Sequence, residues 1–421
     1  MQTYISKEEL NMNSGDTAWV LTASALVLLM TIPGLAFFYG GLVRRKNVLS
    51  ILMQCFIIVC VISLQWMLFG YSLAFGPSFH GLIGGLDWMG LNGVGATPNA
   101  DYSATIPHYA FMIFQAMFAI ITPALIIGAY AERVKFSAFL LFTILWTTFV
   151  YDPLAHWVWN PDGWLRGLGA LDFAGGIVVH VSSGISALML ALMLGKRIGY
   201  NHKPIRPHNL PFTVLGGALL WFGWFGFNAG SALAADGLAA NAFVTTHMAT
   251  AAAGFTWALV EWWHNGSPTI LGVVTGAVAG LVAITPACGF VNPMNAMFIG
   301  MMVAVICYMA VAVIKSKAGY DDSLDAFGVH GVGGTIGTIA TGIFAEKAVN
   351  AAGADGLLFG NIHQFLVQGF LVVVAVLFAV IMTFIIYKIV DALIGMRVEE
   401  KNEIIGLDLT QQSESAYTVI E

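Results

Sequence analysis

The chain has 421 residues, of which 58% are hydrophobic and only 10% charged, with a formal net charge of −6. A soluble domain carries about 25% charged residues, so this composition excludes a soluble globular fold. The net charge is a tally of loops and tail and points to no nucleic-acid partner.

The apolar residues fall in runs of roughly 20, the length that crosses a bilayer as a helix. Residues 1–17 form a polar segment, and no apolar core in residues 1–16 suggests a secretory signal. The first predicted span is 18–42, and 48–75 is the second; it holds Cys55 and Cys60, which read as small hydrophobes. With Cys288 and Cys307 they form no C-x-x-C pair, so no metal or redox cofactor is expected. The third span, 108–130, places Phe111, Phe114 and Phe118 at i, i+3 and i+7, on one helix face. The fourth is 136–157, and Trp157, Trp159 and Trp164 lie at its outer boundary. These suit an interfacial aromatic belt, but a ring cage also binds a small cation.

The fifth span, 172–194, opens on Asp172, which suits a helix N-terminal cap and can also draw a cation towards the mouth. Eight residues later comes His180, in D-F-A-G-G-I-V-V-H. The sixth, 211–233, carries Trp221, Trp224, Phe225 and Phe227 ahead of Asn228 and Ser231. The seventh to ninth spans are 240–263, 268–286 and 294–314; His247 in the seventh has no counterpart and reads as structural. The tenth, 326–344, contains His330 in D-A-F-G-V-H-G. The eleventh is 362–390, and a polar tail, 395–421, follows.

Basic residues cluster in alternate loops: Arg44, Arg45 and Lys46; Arg133 and Lys135; Lys196, Arg197, Lys203 and Arg206; Lys315 and Lys317; and Lys388, Arg397 and Lys401 at the C-terminal end. The opposite loops hold only Lys7, Arg166 and Lys347. By the positive-inside rule the N-terminus lies outside and the C-terminus in the cytoplasm, which requires an odd number of spans. The fold expected is an all-α polytopic membrane protein of eleven transmembrane helices. Residues 18–194 and 211–344 would form an inverted repeat of five plus five, with 362–390 as the final helix.

Ionisable groups inside a span are costly and usually functional. A lone histidine is equally well explained by a hydrogen bond to a carbonyl. Two histidines in matching helices of a repeat, His180 and His330, favour a solute pathway instead.

At these residues the chain resembles the ammonium transporter/Rh family, and more closely its microbial and plant ammonium transporter branch. The likeness runs from P-G-L-A-F-F-Y-G-G-L at Pro33 to the tail. It is carried by F-M-I-F-Q-A-M-F-A-I-I-T, A-L-D-F-A-G-G-I-V-V-H, G-W-F-G-F-N-A-G-S-A, T-P-A-C-G and D-A-F-G-V-H-G-V. The resemblance implies a homotrimer in a plasma or inner membrane with one pore per subunit, and no enzymatic activity. It implies an outer recruitment site for ammonium at Phe114, Trp159 and Ser231, and a pore gate of Phe118 and Phe227. It further implies paired pore histidines at His180 and His330, and an acid beneath the outer site at Asp172. It also points to a tail that packs across subunits and meets a PII signalling protein. After Trp159 the chain departs from the family pattern with N-P-D-G-W-L-R, so Trp157 and Trp164 compete for the recruitment site.

Ammonium and potassium match in charge and nearly in size, but only ammonium donates hydrogen bonds and can shed a proton. An apolar pore excludes an ion that cannot become neutral. Two other classes stay open on sequence: an ammonium sensor, and an intramembrane hydrolase, for which no H-E-x-x-H cluster is present. In the tail, Val398, Ile404, Ile405, Leu407 and Leu409 are apolar, and are expected to dock on the loop holding Lys196 and Arg197.

Overall fold

The computed structural model describes residues 12–202 and 205–417; Lys7 and Lys203, used above for orientation, lie outside the described residues. Its helices are α1 (Ser14–Leu42), α2 (Arg45–Phe75), α3 (His108–Tyr130), α4 (Phe136–Gly167), α5 (Gly176–Leu194) and α6 (Leu210–Gly230), followed by α7 (Gly237–Asn265), α8 (Ile270–Ile284), α9 (Pro293–Ala318), α10 (Phe327–Phe344) and α11 (Ile362–Ile394). Two short helices, α12 (Glu400–Ile405) and α13 (Leu407–Gln412), lie in the tail. Nine of the described helices are long and apolar enough to cross a membrane. Helix α7 has the length, but its Ala- and Thr-rich sequence is less apolar, and α8 has only 15 residues. The chain is therefore a multi-pass membrane protein. Among the described residues the one sheet is a minimal antiparallel pair, Ser78–Phe79 with Ile83–Gly84, between α2 and α3.

Local chemistry fixes where the helices start. Asn13, Asn209, Asp236, Thr269, Asn292 and Asn361 each accept a backbone N–H from the first turn that follows, which satisfies amides otherwise left open. Helix α3 is enclosed by the bundle, whereas α11 turns Leu366, Val373, Leu377 and Ile381 outwards, each more than half exposed. Such a face suits lipid rather than water.

Helices α5 and α10 cross at the centre. A Cβ on Gly184 would overlap the backbone of Gly331, so only glycine permits this approach. A Cβ on Gly334 would lie 2.8 Å from the Cβ of His180. Each glycine is four residues after a histidine, so the two helices meet at His180 and His330 in a near-symmetric way.

The tail is held by polar groups more than by the aliphatic residues singled out in the sequence. Val398 and Leu407 are buried, as the expected docking requires, but Ile404, Ile405 and Leu409 are 57%, 41% and 60% exposed, which corrects it for those three. Glu403 is the anchor: its carboxylate accepts from Ile198 N at 2.6 Å and pairs with Arg397 at 2.8 Å. Asp408 accepts from Ser50 N at 2.8 Å, and Asn47 accepts from Leu407 N at 2.8 Å. Helix α2 has no side-chain cap of its own at Asn47, so the tail supplies one. Replacing Glu403 with Ala should free this segment. Tryptic cleavage after Arg397 and Lys401 is expected to accelerate about tenfold, as follows from losing hydrogen bonds to a buried charge; an unchanged cleavage rate would show that the tail is held elsewhere.

Candidate functional site

The face bearing Trp159 and the start of α1 is the one that the basic-residue asymmetry leads us to expect outside, and it is called the outer face below. On that face a cavity of about 600 Å³ is lined by Gln115, Phe118, Trp159, Arg166, Asp172 and Ser231, among others. Trp159 donates its indole N–H to the Asp172 carbonyl at 3.0 Å, and its ring stands edge-on to Phe118 with centroids 5.8 Å apart. Ser231 donates to Phe227 O at 2.9 Å, leaving its oxygen lone pairs free.

The Asp172 carboxylate is fully used: Oδ1 accepts from Gly175 and Gly176 N–H at 2.8 and 2.6 Å, and Oδ2 from Ile177 and Val178 N–H at 2.8 and 3.3 Å. Gly175, at φ +122°, makes the turn that brings these amides together. Asp172 thus organises the start of α5 rather than offering a free oxygen to the cavity.

The structure moves one expected residue. Phe114 is fully buried and absent from the cavity wall; it packs edge-on to Phe118 with centroids 5.0 Å apart. The wall is formed by Phe111, Gln115 and Phe118, spaced i, i+4 and i+7 on α3. Spacing had grouped Phe111, Phe114 and Phe118 on one face, and the resemblance had singled out Phe114 among them. The signal missed was Gln115, the only amide side chain in that span. Trp157 and Trp164 face elsewhere: Trp157 packs tilted against Phe378 at 4.6 Å, and Trp164 lies edge-on to Phe370 at 6.3 Å. The departure after Trp159 folds back so that Arg166 donates to Trp159 O at 3.1 Å.

Beneath the outer cavity the rings of Phe118 and Phe227 pack with centroids 4.3 Å apart. Phe227 leads to His180 at 6.1 Å and 25°, and His180 to His330 at 5.3 Å and 20°. The two Nδ1 atoms are 3.3 Å apart, so one must carry the proton and the other accept it. His180 Nε2 is buried with no partner among the described residues. The space beside the pair is a cavity of about 10 Å³, walled by Leu220, Ile121, Val278 and the rings of Trp224 and Phe227. That is about the room one water-sized molecule needs. From the inner side a cavity of about 190 Å³ reaches His330 between Phe38, Trp257 and Val329. Leu42, Leu271, Leu324 and Asp325 join it to a wide mouth of about 600 Å³. The arrangement can hold a cation among rings, strip its water and pass a small neutral molecule along a row of imidazoles.

Both histidines lie in a wide helical turn, Gly176–Val181 and Phe327–Gly331, a feature common at functional positions. The acid matching Asp172 is Asp322, not Asp325 of the D-A-F-G-V-H motif. Asp322 sits eight residues before His330 and accepts from Ala326 and Phe327 N–H at 3.2 and 2.8 Å. Asp325 instead pairs with Lys315 at 2.6 Å. His247 is exposed, its ring near Trp221 at 5.4 Å, away from this path.

The profile described as the Ammonium Transporter Family matches residues 18–417. A Bacillus subtilis protein named ammonium transporter is 54% identical over 406 residues, covering 96% of this chain and 99% of its own. The crystal structure of Saccharomyces cerevisiae Mep2 is 37% identical with a TM-score of 0.88, covering 95% of this chain and 90% of its own. A solved structure titled Sensor Amt Protein is 32% identical with a TM-score of 0.87, covering 96% of this chain and 99% of that one.

Proposed function

The chain belongs to the ammonium transporter family, and from that premise we propose that it carries ammonium nitrogen across the membrane by taking NH4+ at the outer cavity and conducting ammonia past the paired histidines. The observation that carries this reading is the unbroken row Trp159, Phe118, Phe227, His180, His330, in which aromatic faces give way to imidazoles in an apolar constriction.

At the mouth, the rings of Trp159 and Phe118 attract a cation through their faces, with Ser231 Oγ as an acceptor. In this reading Phe118 takes the role that the resemblance had given to Phe114. Beyond the Phe118–Phe227 pair no water shell fits, so remaining charged becomes expensive. Desolvation lowers the ammonium pKa, and the proton leaves before ammonia enters. His180 Nε2, which has no partner among the described residues, would hydrogen-bond the passing molecule. The Nδ1–Nδ1 bond to His330 offers a proton relay between the two sides. Potassium has no proton to lose and stays outside.

The path would be repeated in a homotrimer, with lipid around it, the N-terminus outside and the C-terminus in the cytoplasm. The halves 18–194 and 211–344 would be inverted copies; the matched Asp–His–Gly spacings of α5 and α10 support this. The docked tail at the inner face is where a PII-type protein would act. The likeness to the sensor structure favours a second reading, in which bound ammonium is reported rather than carried.

Purified protein in dye-loaded proteoliposomes on a solid-supported membrane separates the two. An ammonium pulse should give a saturable current or an internal pH change, absent with potassium; binding without either response would favour the sensor. In the same assay Trp159→Leu should raise the apparent KM about 2–30-fold, the equivalent of a cation–π contact of about 0.5–2 kcal/mol. Trp164→Leu should leave it unchanged. The reverse pattern would place the cage at Trp164.

A further inference from the structure

The segment after Trp159, N-P-D-G-W-L-R, is where the chain departs from the pattern it otherwise resembles, and the transport path makes no use of it. It is nevertheless firmly built. Asn160 donates its amide to Gly76 O at 3.1 Å and to Tyr102 Oη at 3.0 Å, and accepts from Asp162 N at 2.9 Å. Leu165 is fully buried, and a Cβ on Gly163 would overlap His156 O. The turn therefore delivers Arg166 to a fixed place, where its Nη1 donates to Trp159 O at 3.1 Å.

That contact uses one of five guanidinium N–H groups. Trp159 O ends the long part of α4, and a basic group suits a helix C-terminus. Water or a neutral amide would satisfy the same carbonyl. Capping alone leaves unexplained a full positive charge on the wall of the cavity that receives a cation in the reading above. Arg166 is exposed and forms no ion pair among the described residues. The other charged side chains on that wall are Asp101, which is exposed, and Asp172, whose carboxylate already accepts four backbone N–H groups. Neither lies within ion-pairing distance of the guanidinium.

From this we infer that Arg166 is a like charge held at the outer mouth, which lowers the occupancy of the cavity by monovalent cations and raises the concentration at which transport half-saturates. It acts through its field and not by contact, so ammonium and methylammonium feel it equally. The inference rests on the transport reading above and deepens it by naming a residue that sets the working range. Between unit charges about 10 Å apart in a water-rich mouth, Coulomb's law gives a factor of about two to five in affinity.

The test uses the full-length protein in proteoliposomes, with ammonium and methylammonium pulses at ionic strengths of about 10 mM and about 1 M, where screening lengths are about 30 and 3 Å. Arg166→Gln keeps an N–H donor for Trp159 O and removes the charge. At low ionic strength it should lower the KM of both cations about two- to fivefold. At high ionic strength the variant and the wild type should converge. Arg166→Lys keeps the charge and should stay close to the wild type at both. A purely structural role predicts the opposite sign: without its brace Trp159 loosens, and the KM of Arg166→Gln rises at every ionic strength. That result, an unchanged KM at low ionic strength, or Arg166→Lys behaving as Arg166→Gln would overturn the role of the charge. A wild-type protein that responds to neither cation would instead overturn the transport reading beneath it.

Discussion

His180→Ala and His330→Ala each lose discrimination between ammonium and potassium in proteoliposomes, while the purified protein stays folded. The reason is the size of the constriction. About 10 Å³ beside the two imidazoles leaves no room for a hydrated ion. Removing one ring opens enough space for several waters, and a potassium ion that keeps part of its shell escapes the desolvation cost. Comparing currents from ammonium and potassium pulses measures this: the potassium response should rise from background to the same order as the ammonium response. A phenylalanine at either position restores volume without nitrogen, and should block flux rather than relax it. Full selectivity in both alanine variants would show that the exclusion lies above, at Phe118 and Phe227.

The second large effect is on stability. Asp321 is buried and binds two guanidinium groups, Arg133 at 2.7 Å and Arg197 at 2.8 Å. Arg197 also reaches Glu132 at 3.1 Å, and Glu132 holds Arg44 at 2.8 Å. Glu132 is kept at φ +75°, an unfavourable conformation for a side-chain-bearing residue, and its carboxylate also binds Asn47. Asp321→Ala leaves two buried cations without their shared partner and should cost about 3–5 kcal/mol, read by thermal or denaturant unfolding in detergent. An Arg133→Leu change on top of Asp321→Ala should recover part of the loss, since fewer unpaired charges remain. Burial pushes the Glu132 and Asp321 carboxyls up, but Arg197, with Arg44 or Arg133, overcomes this and holds both below the usual carboxylate range. Their stabilisation is therefore complete above the ordinary carboxylate pKa of about 4 and is lost as pH falls below it. Unfolding midpoints should be flat from pH 8 to about 5 as far as this cluster is concerned, and fall in stronger acid. A cluster-dependent fall already at pH 6 would contradict the assignment.

The long apolar helices were legible in the sequence because bilayer solvation leaves little choice of residue. His180 and His330 were legible because an ionisable group there needs a reason. The face of α3 was not. Phe114 at i+3 and Gln115 at i+4 from Phe111 both fit a 3.6-residue period, and in an enclosed helix no polar face breaks the tie. The same limit hid Asp322: three acids, Asp321, Asp322 and Asp325, crowd one loop, and chain direction alone decides that one enters an arginine cluster, one caps α10 and one pairs with Lys315. Tail docking was expected from greasy residues, yet Glu403 and Asp408 do most of it. Their backbone partners, Ile198 and Ser50, are hundreds of positions away, where no local pattern reaches. The low apolarity of α7 follows from its small residues, which pack closely against α8 and α9 instead of facing lipid.

The cap that Asp408 places on α2 also has a consequence in time. Ser50 leaves the ribosome some 360 residues before the carboxylate that completes its helix start. Through most of translation the first amides of α2 stay open at the inner face, exposed to solvent and to whatever holds nascent chains. Only when the last segment emerges does that edge close. A chain interrupted by a premature stop anywhere between α2 and the tail lacks Asp408 and keeps the same unfinished edge.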